Sequence, residues 1–76
     1  PFNPTTSIGF DVPFSSNVSL YVYDISGRKI RQLADKEFSP GYHSVTWDAS
    51  GMPSGIYFVE MSAGGFGAIQ KLMLIK

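Results

Sequence analysis

The 76-residue chain contains no cysteine, which excludes disulfides and thiolate metal sites. It has one histidine, His43. With no cysteine and no second imidazole, a zinc site lacks ligands. Neither sign of charge dominates: six basic residues balance six acidic ones. A nucleic-acid surface needs a basic stripe, and none is present. The longest apolar run falls well short of the ~18 residues of a membrane span, so the sequence reads as not membrane-spanning, and no signal peptide opens it. No Gly-x-Ser-x-Gly elbow supports a nucleophile. No DxDxDG run offers a calcium loop. The Gly64-Gly65 pair and Gly51 precede no helix that would let them cradle phosphate. These absences point away from an enzyme and from any cofactor.

What remains is a sequence rich in core-forming residues. It is 43% hydrophobic and 14% aromatic, with six Phe, four Tyr and one Trp. Each aromatic ring can bury ~150–250 Å², and such content argues against disorder. A domain of this length buries only roughly 60% of its unfolded surface. It therefore needs a dense core or a neighbouring domain. A net charge of zero leaves little solubility margin, as suits a module attached to something larger.

The stretch Val18–Lys29 organises the chain. Val18, Leu20 and Val22 fall on one face at period two, with Ser19, Tyr21 and Tyr23 on the other. The run breaks at Asp24-Ile25-Ser26-Gly27, where Gly27 supplies the positive φ of a hairpin loop. It resumes through Ile30 and Leu33. Their spacing of three fits neither a clean strand nor a full helix, and a bulge near Arg31-Gln32 would restore the register. A helix over Lys29–Phe38 is the rival, limited by Gly27 and Pro40 to about one to three turns.

The remaining segments read as partners. Pro1-Phe2-Asn3-Pro4 is extended by its prolines and reads as a linker exit, with Phe2 as its anchor. Residues 1–4 are thus expected to be the remnant of a link to a longer protein, ahead of a single domain. Thr5–Val12 places Ile8, Phe10 and Val12 on one face, and the turn Ser15-Ser16-Asn17 follows Pro13. Ser39-Pro40-Gly41 has the type II order. In Tyr42–Asp48, His43, Val45 and Trp47 share a face. A double turn spans Asp48–Gly55. Ile56–Ser62 is apolar on both faces and reads as a central strand. Ala63-Gly64-Gly65 turns the chain into a last strand, Ala68–Lys76. Six to seven short strands, spaced by turns every ~8–12 residues, predict an all-β, immunoglobulin-like antiparallel β-sandwich.

Asp24 and Asp48 are expected to cap their turns, accepting backbone N–H bonds. Tyr21, Tyr23, Tyr42, Trp47 and Tyr57 invite a carbohydrate platform, although core packing and cross-strand pairing are the ordinary uses of such rings. Trp47, beside Val45, is expected in the core.

The motifs Asn3-Pro4, Val22–Arg28, Gly41-Tyr42-His43, Trp47-Asp48, Pro53–Tyr57 and Lys71–Lys76 occur in an order and spacing that extend over the whole chain. Together they resemble the C-terminal sorting domain of type IX secretion cargo, and the related immunoglobulin-like domain of flagellar hook-capping proteins. The ending on Ile75-Lys76 agrees with such domains lying at the end of their host chains. The resemblance implies a seven-stranded, non-catalytic sandwich that directs folded cargo across the outer membrane of Gram-negative bacteria. The cargo is then released or attached to surface glycolipid. Its partner would be the secretion translocon. An accessory module supporting a neighbouring catalytic domain, with or without weak carbohydrate binding, is the alternative. A hook-cap-like structural subunit is the third reading.

Carried onto this sequence, the resemblance implies a recognition surface of Asp24, Gly27 and Arg28 in the hairpin, Gly55 and Tyr57 at the turn into the central strand, and Lys71 through Lys76. Gly27, Gly55 and Tyr57 are expected to serve the fold. Arg28, Lys71 and Lys76 are expected to make contacts, since exposed charges steer docking. An apolar last strand at a sheet edge would also offer a template for strand addition.

Overall fold

The computed structural model describes every residue from Pro1 to Lys76. Six strands form in sequence order: β1 (Thr5–Val12), β2 (Ser16–Tyr23), β3 (Lys29–Phe38), β4 (Gly41–Asp48), β5 (Gly55–Ala63) and β6 (Phe66–Leu74). β1 and β4 make a two-stranded sheet, and the four-stranded sheet has the order β3-β2-β5-β6. All four strand pairings are antiparallel, as an immunoglobulin-like sandwich requires.

The period-two pattern decides which side chains meet between the sheets. Ile8, Phe10 and Val12 of β1 face Val18, Leu20 and Val22 of β2, and all six are buried. Trp47 enters from β4, Tyr57 and Val59 from β5, and Leu72 and Leu74 from β6. No polar or charged residue type is buried with them. Removal of apolar surface from water, worth ~25 cal/mol per Å², is therefore the chief stabilising term. β5 is buried on its inner face and half-covered on its outer face, through Ile56, Phe58 and Glu60.

β3 is a strand along its full length, which settles the helix question. Its register against β2 slips between Leu20 and Tyr21, and again between Val22 and Tyr23. The single bulge expected near Arg31-Gln32 is thus two irregularities, at Leu33 and Ile30, on either side of that dipeptide. Each extra residue re-aims the strand. Ile30 and Leu33, three apart in sequence, both pack against the core.

Strand boundaries move by one or two residues relative to the sequence reading, and β6 ends at Leu74 rather than Lys76. β2 starts at Ser16, inside the expected turn, because Ser16 and Asn17 pair with Phe38 and Glu37. β6 starts at Phe66, because Gly64, at φ 59°, closes the hairpin within Gly64-Gly65.

The implied seventh strand is reduced to one bridge. Phe2 pairs in parallel with Leu74, donating its N–H to Met73 O at 3.0 Å and accepting from Ile75 N at 3.0 Å. Its ring lies 5.6 Å from Trp47, centroid to centroid. The Asn3-Pro4 peptide bond is cis, and Pro4 O accepts from Ala49 N at 2.9 Å.

Candidate recognition surface

The β2–β3 loop is built around one carboxylate. Asp24 Oδ1 accepts from Ser26 N at 3.0 Å, Ser26 Oγ at 2.6 Å and Arg28 N at 3.0 Å. Oδ2 accepts from Arg28 Nε at 3.1 Å. The backbone closes the same ring, with Gly27 N donating to Asp24 O and Asp24 N to Arg28 O, both at 3.0 Å. Gly27, at φ 87°, takes the left-handed conformation that lets the chain return. The Ser26 hydroxyl, then the Arg28 amide, hold the Asp24 carboxyl below its ordinary value of 3.8, against a small opposing effect of burial.

The same chemistry recurs at the end of β4. Asp48 Oδ1 accepts from Ser50 N at 2.9 Å and Ser50 Oγ at 2.6 Å, and Gly51 follows at φ 86°. Both loops spell Asp-x-Ser-Gly, and both carboxylates are held low chiefly by the serine hydroxyl. The expected turn-capping role is what these bonds perform.

Gly55 opens β5 at φ 155° and pairs with Leu74. Two residues on, Tyr57 is buried, its ring 5.4 Å from Trp47 and edge-on to it. Its hydroxyl donates to Pro53 O at 2.6 Å, tying the double turn to the core. Lys71 sits opposite Phe58, which in turn sits opposite Tyr23. Beyond β6, Lys76 N donates to Ser54 Oγ at 3.1 Å.

The sheet order therefore gathers the implied recognition residues at one end of the sandwich. The Asp24–Arg28 loop, the Ser54-Gly55 turn and the last residues of the chain lie together there, beside Phe2. Asp24 is occupied by its own loop. The side chain of Arg28 is 78% exposed, and Lys71 and Lys76 are exposed.

The aromatic residues do not gather. Trp47 and Tyr57 are in the core. Tyr42 lies on the outer face of the small sheet, against Gly9. Tyr21 and Tyr23 lie on the outer face of the large one, where Lys29 Nζ sits 3.8 Å above the Tyr21 ring. Tyr23 donates to Glu60 Oε1 at 3.0 Å, which raises its phenol above the ordinary 10.0. His43 packs on Phe10 and Phe38 at 5.8 and 5.0 Å, with Nε2 2.7 Å from Ser39 O. No helix is long and apolar enough to cross a membrane.

The sequence reading missed the exposure of β6. Phe66 and Ile69 are 61% and 68% exposed, so the first half of the strand lies uncovered. The glycines at 64, 65 and 67 were the available signal, since they leave that segment without side chains to pack.

Residues 1–76 match the model of the family described as Secretion system C-terminal sorting domain. The chain belongs to that family. No curated protein and no solved structure matches it. The sorting domain belongs to type IX secretion, and it marks proteins that Gram-negative bacteria secrete or export to the cell surface. The family is non-catalytic. The domain's role is that of a C-terminal secretion signal, and it interacts with the secretion system.

Proposed function

We propose that the export machinery reads this sorting domain in its folded state, at the end of the sandwich that carries both chain termini. Arg28, Lys71 and Lys76 are the contact charges, and Asp24, Gly27, Gly55 and Tyr57 hold them in place. The observation that carries the reading is the convergence of the Asp24–Arg28 loop and the C-terminal segment on one end of the four-stranded sheet. Exposed charges on a rigid frame steer a receptor of opposite sign without the cost of burial. Phe2 already occupies the outer edge of Met73–Ile75. Docking here therefore proceeds through side chains and not through an added strand. Attachment of the exported cargo to surface glycolipid, or its release, follows this step.

The experiment places Arg28→Ala, Lys71→Ala and Lys76→Ala together in a cargo protein carrying the domain, and measures cargo at the cell surface and in the medium against the periplasm. These side chains are exposed, and the Arg28–Asp24 ion pair lost with them lies at the surface, so the thermal melt of the domain should change little. Retention of cargo in the periplasm is the expected result. Export at the unmodified level rejects the reading. Deleting Leu72–Lys76 is a poorer test, since buried Leu72 and Leu74 would go with it.

The alternative is an accessory module that binds polysaccharide through Tyr21 and Tyr23. It has less support, because Lys29 covers one face of the Tyr21 ring. Failure of Tyr21→Ala to alter migration through a polysaccharide-containing gel would dispose of it.

A further inference from the structure

The sandwich is open along one flank. β1 bonds only to β4, and β6 bonds only to β5 apart from the contact with Phe2. Between these two edges lies an apolar cleft of about 330 Å³, whose walls include Ile8, Phe10, Leu20, Val59, Met61 and Phe66. Peptide groups alternate in direction along a strand. Met73 O and Ile75 N point outward to Phe2, so Gly67, Ile69 and Lys71 present their N–H and C=O groups outward too, with no partner. This free edge has two ends. The Gly64-Gly65 turn bounds one, and Phe2 begins at Met73 to bound the other. Ile69 is the midpoint.

We propose that a second copy of this chain fills the edge, β6 against β6 and antiparallel, about a twofold axis through Ile69. The four-stranded sheet then continues into that of the second copy. The bounds of the free stretch select this occupant. In an antiparallel pair centred on Ile69, each copy's Gly64-Gly65 turn leaves the edge where the other copy's Phe2 begins. The register leaves no outward group of Gly67, Ile69 or Lys71 unpaired. Charge selects it as well. Lys71, the one charged residue of β6, falls opposite Gly67 of the second copy, and the two Lys71 side chains stay apart. A net charge of zero adds no repulsion at longer range. On the inner face, exposed Phe66 falls opposite Leu72 of the other copy. Ala68 falls opposite Gln70, and the two Ile69 side chains meet on the outer face. Apart from Lys71, β6 lacks the usual protections of an edge. It has no proline, no inward-pointing charge and an unbroken register against β5. A twofold pairing of this kind closes on itself and does not propagate.

The test measures the mass of the 76-residue chain by sedimentation over a range of concentrations. The unmodified chain should pass from one copy to two as concentration rises. Ile69→Lys and Ile69→Glu should each remain single, since like charges then oppose across the axis, and an equimolar mixture of the two should restore the pair. Met73→Lys, on the same strand but outside the pairing, should associate like the unmodified chain. A single-copy mass at every concentration overturns the proposal, as does pairing by Ile69→Lys alone or failure of the mixture to pair. A second measurement does not rely on the charged variants folding. The chain has no cysteine of its own, so Ile69→Cys should be captured as a dimer by a short thiol cross-linker, and Ile25→Cys should not. Equal capture of both would count against the axis. These readouts are mass and cross-linking, not export, so they stand or fall separately from the receptor-facing end.

Discussion

Tyr42 of β4 lays its ring across the backbone of Gly9 on β1. A Cβ at Gly9 would collide with the Tyr42 hydroxyl and stand 2.7 Å from Cζ. The two residues are diagonal neighbours in the β1–β4 ladder, where Gly9 pairs with Ser44 and Tyr42 with Asp11. A ring over a strand glycine restores the surface that the missing side chain fails to cover. Gly9 takes no positive φ, so its reason for being glycine is the ring and not the backbone.

Gly9→Ala should therefore displace the ring without unfolding the domain. Tyr42 is 69% exposed and free to swing away, so the change in stability should stay within ~0.5 kcal/mol. Near-ultraviolet circular dichroism should record the lost ring packing, with little change in the thermal midpoint.

Tyr57→Phe removes a buried hydroxyl that donates to Pro53 O at 2.6 Å and leaves the carbonyl without that donor. A loss of ~1 kcal/mol is expected, lowering the midpoint by ~4–8 °C in a domain of this size. Calorimetry reads it. An unchanged midpoint would mean that the double turn is held by other bonds.

Leu74→Ala should be far more damaging. The side chain is fully buried, and such truncations cost ~2–5 kcal/mol. Stabilities of whole domains run ~5–15 kcal/mol. Urea titration should show a midpoint reduced by a large fraction, with Met73→Ala, on the exposed face, as the mild comparison.

Stability should fall in acid through the two Asp-x-Ser-Gly loops. Asp24 and Asp48 are held below 3.8 in the fold. Their contribution is therefore present above the unfolded value of ~3.9 and is lost as pH falls through the lower folded values. Asp24→Asn with Asp48→Asn should make the acid limb of the stability profile shallower.

At the alkaline end the sign reverses. Hydrogen bonding to Glu60 raises the Tyr23 phenol above 10.0. Its contribution is complete below that unfolded value and is lost as pH rises through the folded one. Tyr23→Phe should remove that part of the alkaline loss, which denaturant melts across the range would show.

Much of the fold is legible in the residues. Val18, Leu20 and Val22, with Ile8, Phe10 and Val12, announce their inward faces by alternation, and burial obeys it. The loop carboxylates are equally plain, because an Asp two residues before a serine can satisfy local N–H groups with no help from elsewhere in the chain. β3 was harder to read. Ile30 and Leu33 reach one face only because two irregularities against β2 re-aim the strand, and those depend on the partner's register. The residues proposed for recognition were readable as motifs, but their shared location was not, since it follows from β2 and β6 flanking β5.

Local periodicity, set by the geometry of an extended backbone, was enough to specify strands, turns and an apolar interior. Which strand ends up with a bare edge is another matter. β6 and β1 became the open flank because two strands cannot cover four, and because Phe2 reaches across to pair with only the last residues of β6. That outcome depends on hydrogen bonds between segments more than seventy residues apart, and no pattern within either segment encodes it.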